Sequence, residues 1–241
     1  MNNFAVLFSG ELERMQKYHI LTASVVVSFF WIGMIHLLEV PDITYLFTMV
    51  VFFDIVSMAI VLIGVTIFFE KQEGVLKSLF VSPISKTEFL ISKISANLVS
   101  NLITIVIVYL YALVFKEIYV NIFGLLGAVL IIGVFHSLLG LLIVYRSQDF
   151  TELLIGMMKY FLVFMIPVVL EQFEVITSEL YSNLLFIIPT KSSAVLVEAA
   201  AGYAEMWEIL LSLIYLIIVS IVLGYIVFKK FNDFTIRESG V

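Results

Sequence analysis

The sequence contains no cysteine and few charged residues. Without cysteine, disulfide frameworks, thiolate metal sites and cysteine nucleophiles are all excluded. Only 13% of the 241 residues are charged, whereas 62% are hydrophobic and the mean hydropathy is +1.15. A soluble domain of this composition would expose far too much apolar surface to water. The composition therefore indicates an integral membrane protein.

Positive charge is scarce as well: the chain has 13 lysines and arginines but 19 acidic residues, and its net charge is −6. No basic stripe or basic-aromatic run follows the chain. Such features are needed to neutralise the phosphates of nucleic acids. We therefore expect no nucleic-acid partner.

Motifs for chemistry are also missing. There is no Gly-x-x-x-x-Gly-Lys-Ser/Thr loop to surround the phosphates of ATP and no Gly-x-Ser-x-Gly elbow for a serine nucleophile. The three histidines, His19, His36 and His136, are far apart in the chain and form no His-Glu-x-x-His zinc pair. We expect that the chain is not an enzyme and has no metal site or cofactor of its own.

Six stretches have the roughly 20 apolar residues needed to cross a bilayer. They are approximately Ile20–Leu38, Tyr45–Phe69, Ile91–Phe115, Ile122–Tyr145, Leu153–Leu170 and Ile209–Phe228. An amphipathic segment at 1–19 precedes them and lacks the short basic start and cleavage site of a signal peptide. No internal repeat or domain-sized linker is evident. The predicted fold is a single all-α integral membrane domain, 1–241, with six transmembrane helices and an N-terminal amphipathic helix.

The distribution of lysine and arginine predicts the orientation, because cytoplasmic loops are enriched in both. With both termini cytoplasmic, the inside holds Arg14, Lys17, Lys71, Lys77, Lys86, Lys93, Arg146, Lys229, Lys230 and Arg237. The outside then holds only Lys116 and Lys191. This places the segment between spans two and three in the cytoplasm.

That segment, Glu70–Lys93, contains a short amphipathic helix. Four apolar residues recur at the i, i+1, i+4, i+5 spacing that puts them on one face of a two-turn helix. They are Val75, Leu76, Leu79 and Phe80. We interpret 70–85 as the region of a cytoplasmic coupling helix with one apolar face for docking on a soluble partner.

The ends of this helix are also marked in the sequence. Pro83 stops it, because proline lacks an N–H and disfavours helical geometry in the preceding residue. Ser85 and Glu88 have the spacing of a capping box, which predicts that the next helix begins there and continues into the membrane.

The longest outer connection, 171–208, contains more than a polar loop. Leu184–Ile188 is apolar and is closed by Pro189. Ser192 or Ser193 is placed to cap a second short helix, Val195–Ala201, which ends at Gly202. We expect a re-entrant helical hairpin in the outer leaflet; two surface helices are the alternative.

Taken together, these features resemble the permease subunits of type 2 ATP-binding-cassette (ABC) exporters, particularly small bacterial drug or antimicrobial-peptide export permeases. The resemblance in topology covers essentially the whole chain, whereas the specific motif covers two dozen residues. The matching residues are Glu70, Glu73, Gly74, Leu79, Pro83, Ser85, Glu88 and Lys93. Where many members have a basic residue between the acids and a threonine after the glycine, this chain has Lys71–Gln72 and Val75.

The resemblance implies a multi-pass protein of the bacterial cytoplasmic membrane that exports an amphipathic drug, peptide or lipid-like cargo. It implies two partners: a second, identical or different, permease subunit, and a nucleotide-binding subunit that holds ATP and Mg²⁺. The N-terminal helix and the coupling segment are then expected to contact the nucleotide-binding subunit, which is the motor of the transporter. The coupling residues are Glu70, Glu73, Gly74, Val75, Leu76, Leu79, Phe80 and Pro83.

Ionisable residues inside predicted spans are costly and therefore informative. Asp54 in span two is placed either to hold a cationic cargo or to bond a neighbouring helix. Lys159 in span five either faces a cavity or extends its side chain toward the headgroups. His136 in span four either faces Lys159 or is a neutral core residue.

The aromatic residues Phe52, Phe53 and Phe161 complete the candidate cargo set with Asp54 and Lys159. They would suit an apolar or amphipathic cargo in a cavity lined by spans one, two and five, although aromatic residues also commonly face lipid. An ion channel lacks support because the sequence has no glycine-rich selectivity filter. A secondary transporter lacks support because the sequence shows no paired broken helices. A binding, immunity or scaffold protein of the membrane remains an alternative.

Overall fold

A computed structural model describes residues 3–82, 84–175 and 177–239. The first half of the chain forms α1 Asn3–Lys17, α2 Ile20–Leu37, α3 Ile43–Gln72, α4 Val75–Val81 and α5 Lys86–Phe115. The second half forms α6 Ile122–Arg146, α7 Phe150–Tyr160, a π-helical turn Phe161–Met165, α8 Ile166–Gln172, α9 Glu179–Leu185, α10 Pro189–Ala200 and α11 Met206–Ser239. These described ranges contain no strand, and the predicted all-α fold class is confirmed.

Within the described ranges, six helical segments are long and apolar enough to cross a membrane. Five are the single helices α2, α3, α5, α6 and α11, and the sixth combines α7, the π-helical turn and α8. Each coincides with one of the predicted spans. The prediction of a six-span membrane protein is therefore confirmed.

Helix α11 runs eleven residues beyond Phe228, where the predicted last span ends. The sequence-based boundary follows the change from apolar to charged residues at Lys229. The backbone remains helical because one side of the extension is still apolar: Phe231 and Phe234 are 6% and 3% exposed. This amphipathic end covers the other helix ends on the same side of the protein.

The centre of the protein is α3. In the apolar 18-residue window of α3, 72% of the residues are buried, whereas in the corresponding window of α11 only 17% are buried. Helices α5, α6 and α10 all pack on α3, so it is apolar on nearly every side. Any displacement of α3 therefore affects most of the other helices.

Small residues allow α3 and α6 to approach closely. A Cβ atom added at Gly140 would lie 2.5 Å from Cγ2 of Ile63 and 3.1 Å from the carbonyl oxygen of Ile60. Because one of these neighbours is backbone, the clash cannot be removed by rotating a side chain. The contact between the two helices depends on glycine at this position.

The fifth span changes its helical geometry before Pro167. Residues Phe161–Met165 form a π-helical turn, and α8 then continues the helix to Gln172. Proline cannot donate a hydrogen bond to the preceding turn, which leaves carbonyl groups free there. Thr190 of α10 donates a hydrogen bond to the carbonyl of Phe164 in the π-helical turn. The change of helical geometry thus lies directly before Pro167, and α10 bonds to it.

Helices α9 and α10 form a broken pair with a bend of 100°. Two details of the predicted hairpin are corrected. Helix α10 begins at Pro189, and Ser192 and Ser193 lie buried inside it instead of capping it. Proline starts the helix because its fixed φ and missing N–H suit the first turn. Gly202, with φ 82°, follows the end of α10 as expected.

The buried face of α10 packs against α3, α6 and α11. The described part of α9, by contrast, has no fully buried residue. The hairpin is therefore anchored in the protein through its second helix. Its position relative to the membrane stays a prediction.

The contact at Gly140 generates a test of this packing. We expect Gly140→Ala to destabilise the protein by about 1–3 kcal/mol, because the added methyl group meets backbone atoms in a close-packed contact. Thermal unfolding of the purified protein in detergent measures this effect. The control is Gly127→Ala on the same helix, where a Cβ meets nothing within 4 Å. Equal melting temperatures for the two variants would contradict the close approach of α3 and α6.

Candidate functional site

The candidate coupling segment lies where α3 ends and α5 begins. Gly74 has φ 70°, a left-handed conformation that glycine adopts without strain, and it separates α3 from α4. Ser85 and Glu88 form the predicted capping box: Glu88 N donates to Ser85 Oγ at 3.1 Å, and Ser85 N donates to Glu88 Oε2 at 3.0 Å. The start of α5 predicted from Ser85 and Glu88 is confirmed. Pro83 lies outside the described residues.

The predicted docking face of α4 is oriented differently from the expectation. Leu76 is 1% exposed and belongs to the main hydrophobic core, and Leu79 packs partly against that core. Val75 is half-buried, and the Phe80 side chain lies outside the described part. Helix α4 therefore uses its apolar face to pack on α3 and α11. The physical reason is that α11 extends far enough to cover it.

The exposed residues in the described part of α4 are polar. They are Lys77 and Ser78. Lys77 also lines an open cavity of about 650 Å³. Besides Lys77, the cavity lining consists of Lys71, Leu76, Gln148, Arg237 and Glu238. Three of these six residues are cationic, so the open surface beside α4 is predominantly basic.

Glu70, predicted to contact the motor, points into the protein and is 0% exposed. Its carboxylate pairs with Lys93 of α5 and accepts a hydrogen bond of 2.8 Å from Arg14 Nε of α1. Lys93 also bonds Glu11 Oε2 at 2.7 Å, and Arg14 bonds Glu11 Oε1 at 2.5 Å. We call these four residues the ionic cluster. In this conformation Glu70 has no surface to offer a partner, so any role in coupling is indirect.

The ionic cluster is electrically balanced, with two carboxylates and two cations. Burial favours the neutral form of Glu11, but the positive charges of Lys93 and Arg14 outweigh this effect and lower its pKa below the ordinary value. Such a buried arrangement holds only while each charge keeps its partners, because an unpaired buried charge is strongly destabilising. The cluster consequently joins α1, α3 and α5 as one unit.

A second, exposed pair extends the attachment of α1. Lys17 Nζ bonds Glu73 Oε2 at 2.5 Å, and the Tyr18 hydroxyl donates to the same oxygen at 3.0 Å. The hydrogen bond from Lys17 lowers the pKa of Glu73. Burial and the Glu73 carboxylate raise the pKa of Tyr18 to about 12. Glu73 thus faces α1, beside the start of α4.

The end of α11 forms another ionic contact, which the sequence reasoning missed. Lys71 of α3 bonds Glu238 at 3.1 Å and also donates to the carbonyl of Gln148 at 3.0 Å. Glu238 is 8% exposed and is bonded by Arg237 as well. A signal is present in the sequence, because Val227, Phe231, Phe234 and Glu238 recur at helical spacing on both sides of the charged residues Lys229 and Lys230.

Among the five cargo candidates, Phe52 and Phe53 contact each other with ring centroids 5.6 Å apart, and the exposure of the five differs. Asp54 and Phe52 are both 0% exposed, and Phe53 is half-buried. Lys159 lies on the exposed side of α7 and has no ion pair among the described residues. Phe161 is half-buried in the π-helical turn. Their role in binding cargo stays a prediction.

His136 is a buried structural residue. Its Nδ1 lies 2.9 Å from the carbonyl oxygen of Ile132 and its Nε2 lies 3.1 Å from the hydroxyl of Tyr160. A carbonyl only accepts, so Nδ1 carries the proton and Nε2 accepts from Tyr160. The contact with Tyr160 joins α6 to the fifth span, in agreement with the core alternative and without contact to Lys159.

The comparison with known families decides the class of this protein. The profile described as ABC-2 family transporter protein matches residues 18–229. The chain belongs to this family. A search of curated proteins found no match. An ABC-2 family chain is the permease part of an ABC transporter and is not itself the ATPase. This protein is therefore a multi-pass membrane subunit, and its family implies an ABC ATPase partner.

The ionic cluster generates the second test. In the ABC-2 chain, Lys93→Met should lower the free energy of unfolding by about 3–5 kcal/mol, because it leaves two carboxylates beside a single cation in a buried site. Chemical or thermal unfolding in micelles measures the change. Lys17→Met is the matched control, since it removes a lysine from an exposed pair with Glu73 and should have little effect. Similar losses in both variants would contradict the special role of burial.

Proposed function

We propose that this ABC-2 permease is the transmembrane subunit of an ATP-driven exporter that moves an amphipathic drug, peptide or lipid-like cargo out of the cell. The family match supports the class of machine. The observation that carries the coupling proposal is the ionic cluster, which joins α1, α3 and α5 around the residues where α4 begins. A force applied to α1 or α4 would therefore reach the central helix α3 without deforming a flexible loop.

The proposed partners are an ABC nucleotide-binding subunit, which holds ATP and Mg²⁺, and a second permease subunit. In this proposal the protein lies in the bacterial plasma membrane with both termini in the cytoplasm, so the motor meets α1, α4 and the basic surface beside them. The polar face of α4, with Lys77 and Ser78, makes the direct contact. Glu70, Leu76 and Leu79 position that face from inside the protein.

ATP binding closes the motor subunits, and the resulting movement of α4 and α1 changes the packing of α3 against its neighbours. A conformational cycle of this kind requires contacts that differ between two states. The cargo residues proposed from the sequence, namely Asp54, Phe52, Phe53, Lys159 and Phe161, would face a cavity between two permeases in one of those states. The hairpin of α9 and α10 would lie at its outer mouth.

The exposed position of Lys77 provides the test of motor docking. The chain is co-expressed with a candidate ABC ATPase subunit, purified in lipid nanodiscs and assayed for bound ATPase. We expect Lys77→Glu to weaken association about tenfold, since it reverses a charge on the basic docking surface. Cargo-stimulated ATP hydrolysis should fall in parallel.

The control is Lys116→Glu, the same change just beyond the far end of α5. It should leave association with the ATPase unchanged. Normal docking and normal hydrolysis in the Lys77→Glu variant would remove α4 from the motor interface. A chain that purifies alone and never engages an ATPase would instead indicate a binding or scaffold protein of the membrane.

A further inference from the structure

One buried acidic group in the spans has an incomplete set of hydrogen bonds. Asp54 Oδ1 accepts a hydrogen bond of 2.7 Å from the indole Nε1 of Trp31, which joins α3 to α2. Asp54 Oδ2 is buried and has no hydrogen-bond partner among the described residues. Removing a carboxylate oxygen from water without a partner is costly, so this arrangement requires an explanation.

Nearby hydroxyl groups do not satisfy this oxygen. Ser57, one turn along α3, directs its hydroxyl to the carbonyls of Phe53 and Asp54, at 2.5 and 3.3 Å. Ser28, one turn before Trp31 on α2, donates to the carbonyls of Val25 and Ser24, at 2.7 and 3.2 Å. The described side chains therefore leave the buried Oδ2 of Asp54 without a hydrogen-bond partner.

The ring that covers Asp54 reaches the surface of the chain. Trp31 is only partly buried, and it contacts Phe30 with ring centroids 5.1 Å apart. Phe30 and the adjacent Phe29 are 63% and 64% exposed. Rotation of a single partly exposed side chain would thus connect the carboxyl group of Asp54 with an aromatic surface outside α2.

We propose that Asp54 and Trp31 form a recognition site for a cationic, lipophilic cargo. In this site Trp31 covers the carboxylate of Asp54 until the cargo displaces the indole N–H of Trp31 from it. A carboxylate with one free oxygen supplies the counter-charge, and the faces of aromatic rings attract cations by their quadrupoles. The exposed aromatic rings of α2 supply the apolar contact. This inference rests on the proposed function, because it names the cargo class of the same exporter.

The test measures cation binding to the purified full chain in nanodiscs, without the ATPase. The chain has two tryptophans, so Trp207→Phe leaves Trp31 as the sole fluorescent indole. Tetraphenylphosphonium, a permanent lipophilic cation, should change the Trp31 emission in a saturable manner. Triphenylphosphine oxide, a neutral aromatic analogue, should produce no saturable change.

Asp54→Asn should weaken tetraphenylphosphonium binding about tenfold or more, because the amide keeps an acceptor for Trp31 but has no charge. The matched control, Glu39→Gln, removes an exposed acidic charge two residues beyond the end of α2 and should bind as the unaltered chain does. Equal affinity of the Asp54→Asn variant, or an equal response to the neutral probe, would overturn the proposal.

A second variant separates recognition from a structural role. Trp31→Phe keeps the carboxylate and an aromatic face but removes the N–H, so equilibrium dialysis should show binding at least as tight as before. Loss of binding in Trp31→Phe equal to that in Asp54→Asn would show that the pair serves only to hold α2 on α3. Since no ATPase is present, failure of this site and failure of the exporter proposal are independent results.

Discussion

The ionic cluster of Glu11, Arg14, Glu70 and Lys93 holds together one end of the protein, the end that is cytoplasmic in the proposed orientation. Its four charges come from three helices, and three of them, Glu11, Glu70 and Lys93, are too deeply buried to be stable without partners. The cluster therefore specifies how α1, α3 and α5 meet. Together with the bonds of Lys17 and Tyr18 to Glu73, it holds α1 in one position relative to the spans.

This constraint also determines what α4 presents to a partner. The preceding helix is held at Glu70, the chain turns at Gly74, and Leu76 is buried against the extended α11. The result is a short helix with its apolar side inward and Lys77 outward. In the proposed exporter, the coupling helix therefore transmits force through buried packing and meets the motor through polar contacts.

Much of this fold follows from local physical properties of the chain. Spans are set by the free energy of placing about 20 apolar residues in lipid, and the capping box at Ser85 and Glu88 depends on atoms only three residues apart. These features were predictable. The start of α10 at Pro189 and the continuation of α11 beyond Lys229 were missed although both have a local signal, because the hydropathy pattern alone does not show that these segments pack on partners distant in sequence.

The sequence by itself determined that the chain is a six-span helical membrane protein with a polar segment between spans two and three, since composition and hydropathy act residue by residue. Only the tertiary structure decided which charges are buried together. It paired Glu70 with Lys93 and α1, and it placed Trp31 over Asp54. Burial and ion pairing depend on how helices rotate and approach one another, and hydrophobic patterns leave those rotations open where a helix is apolar all round.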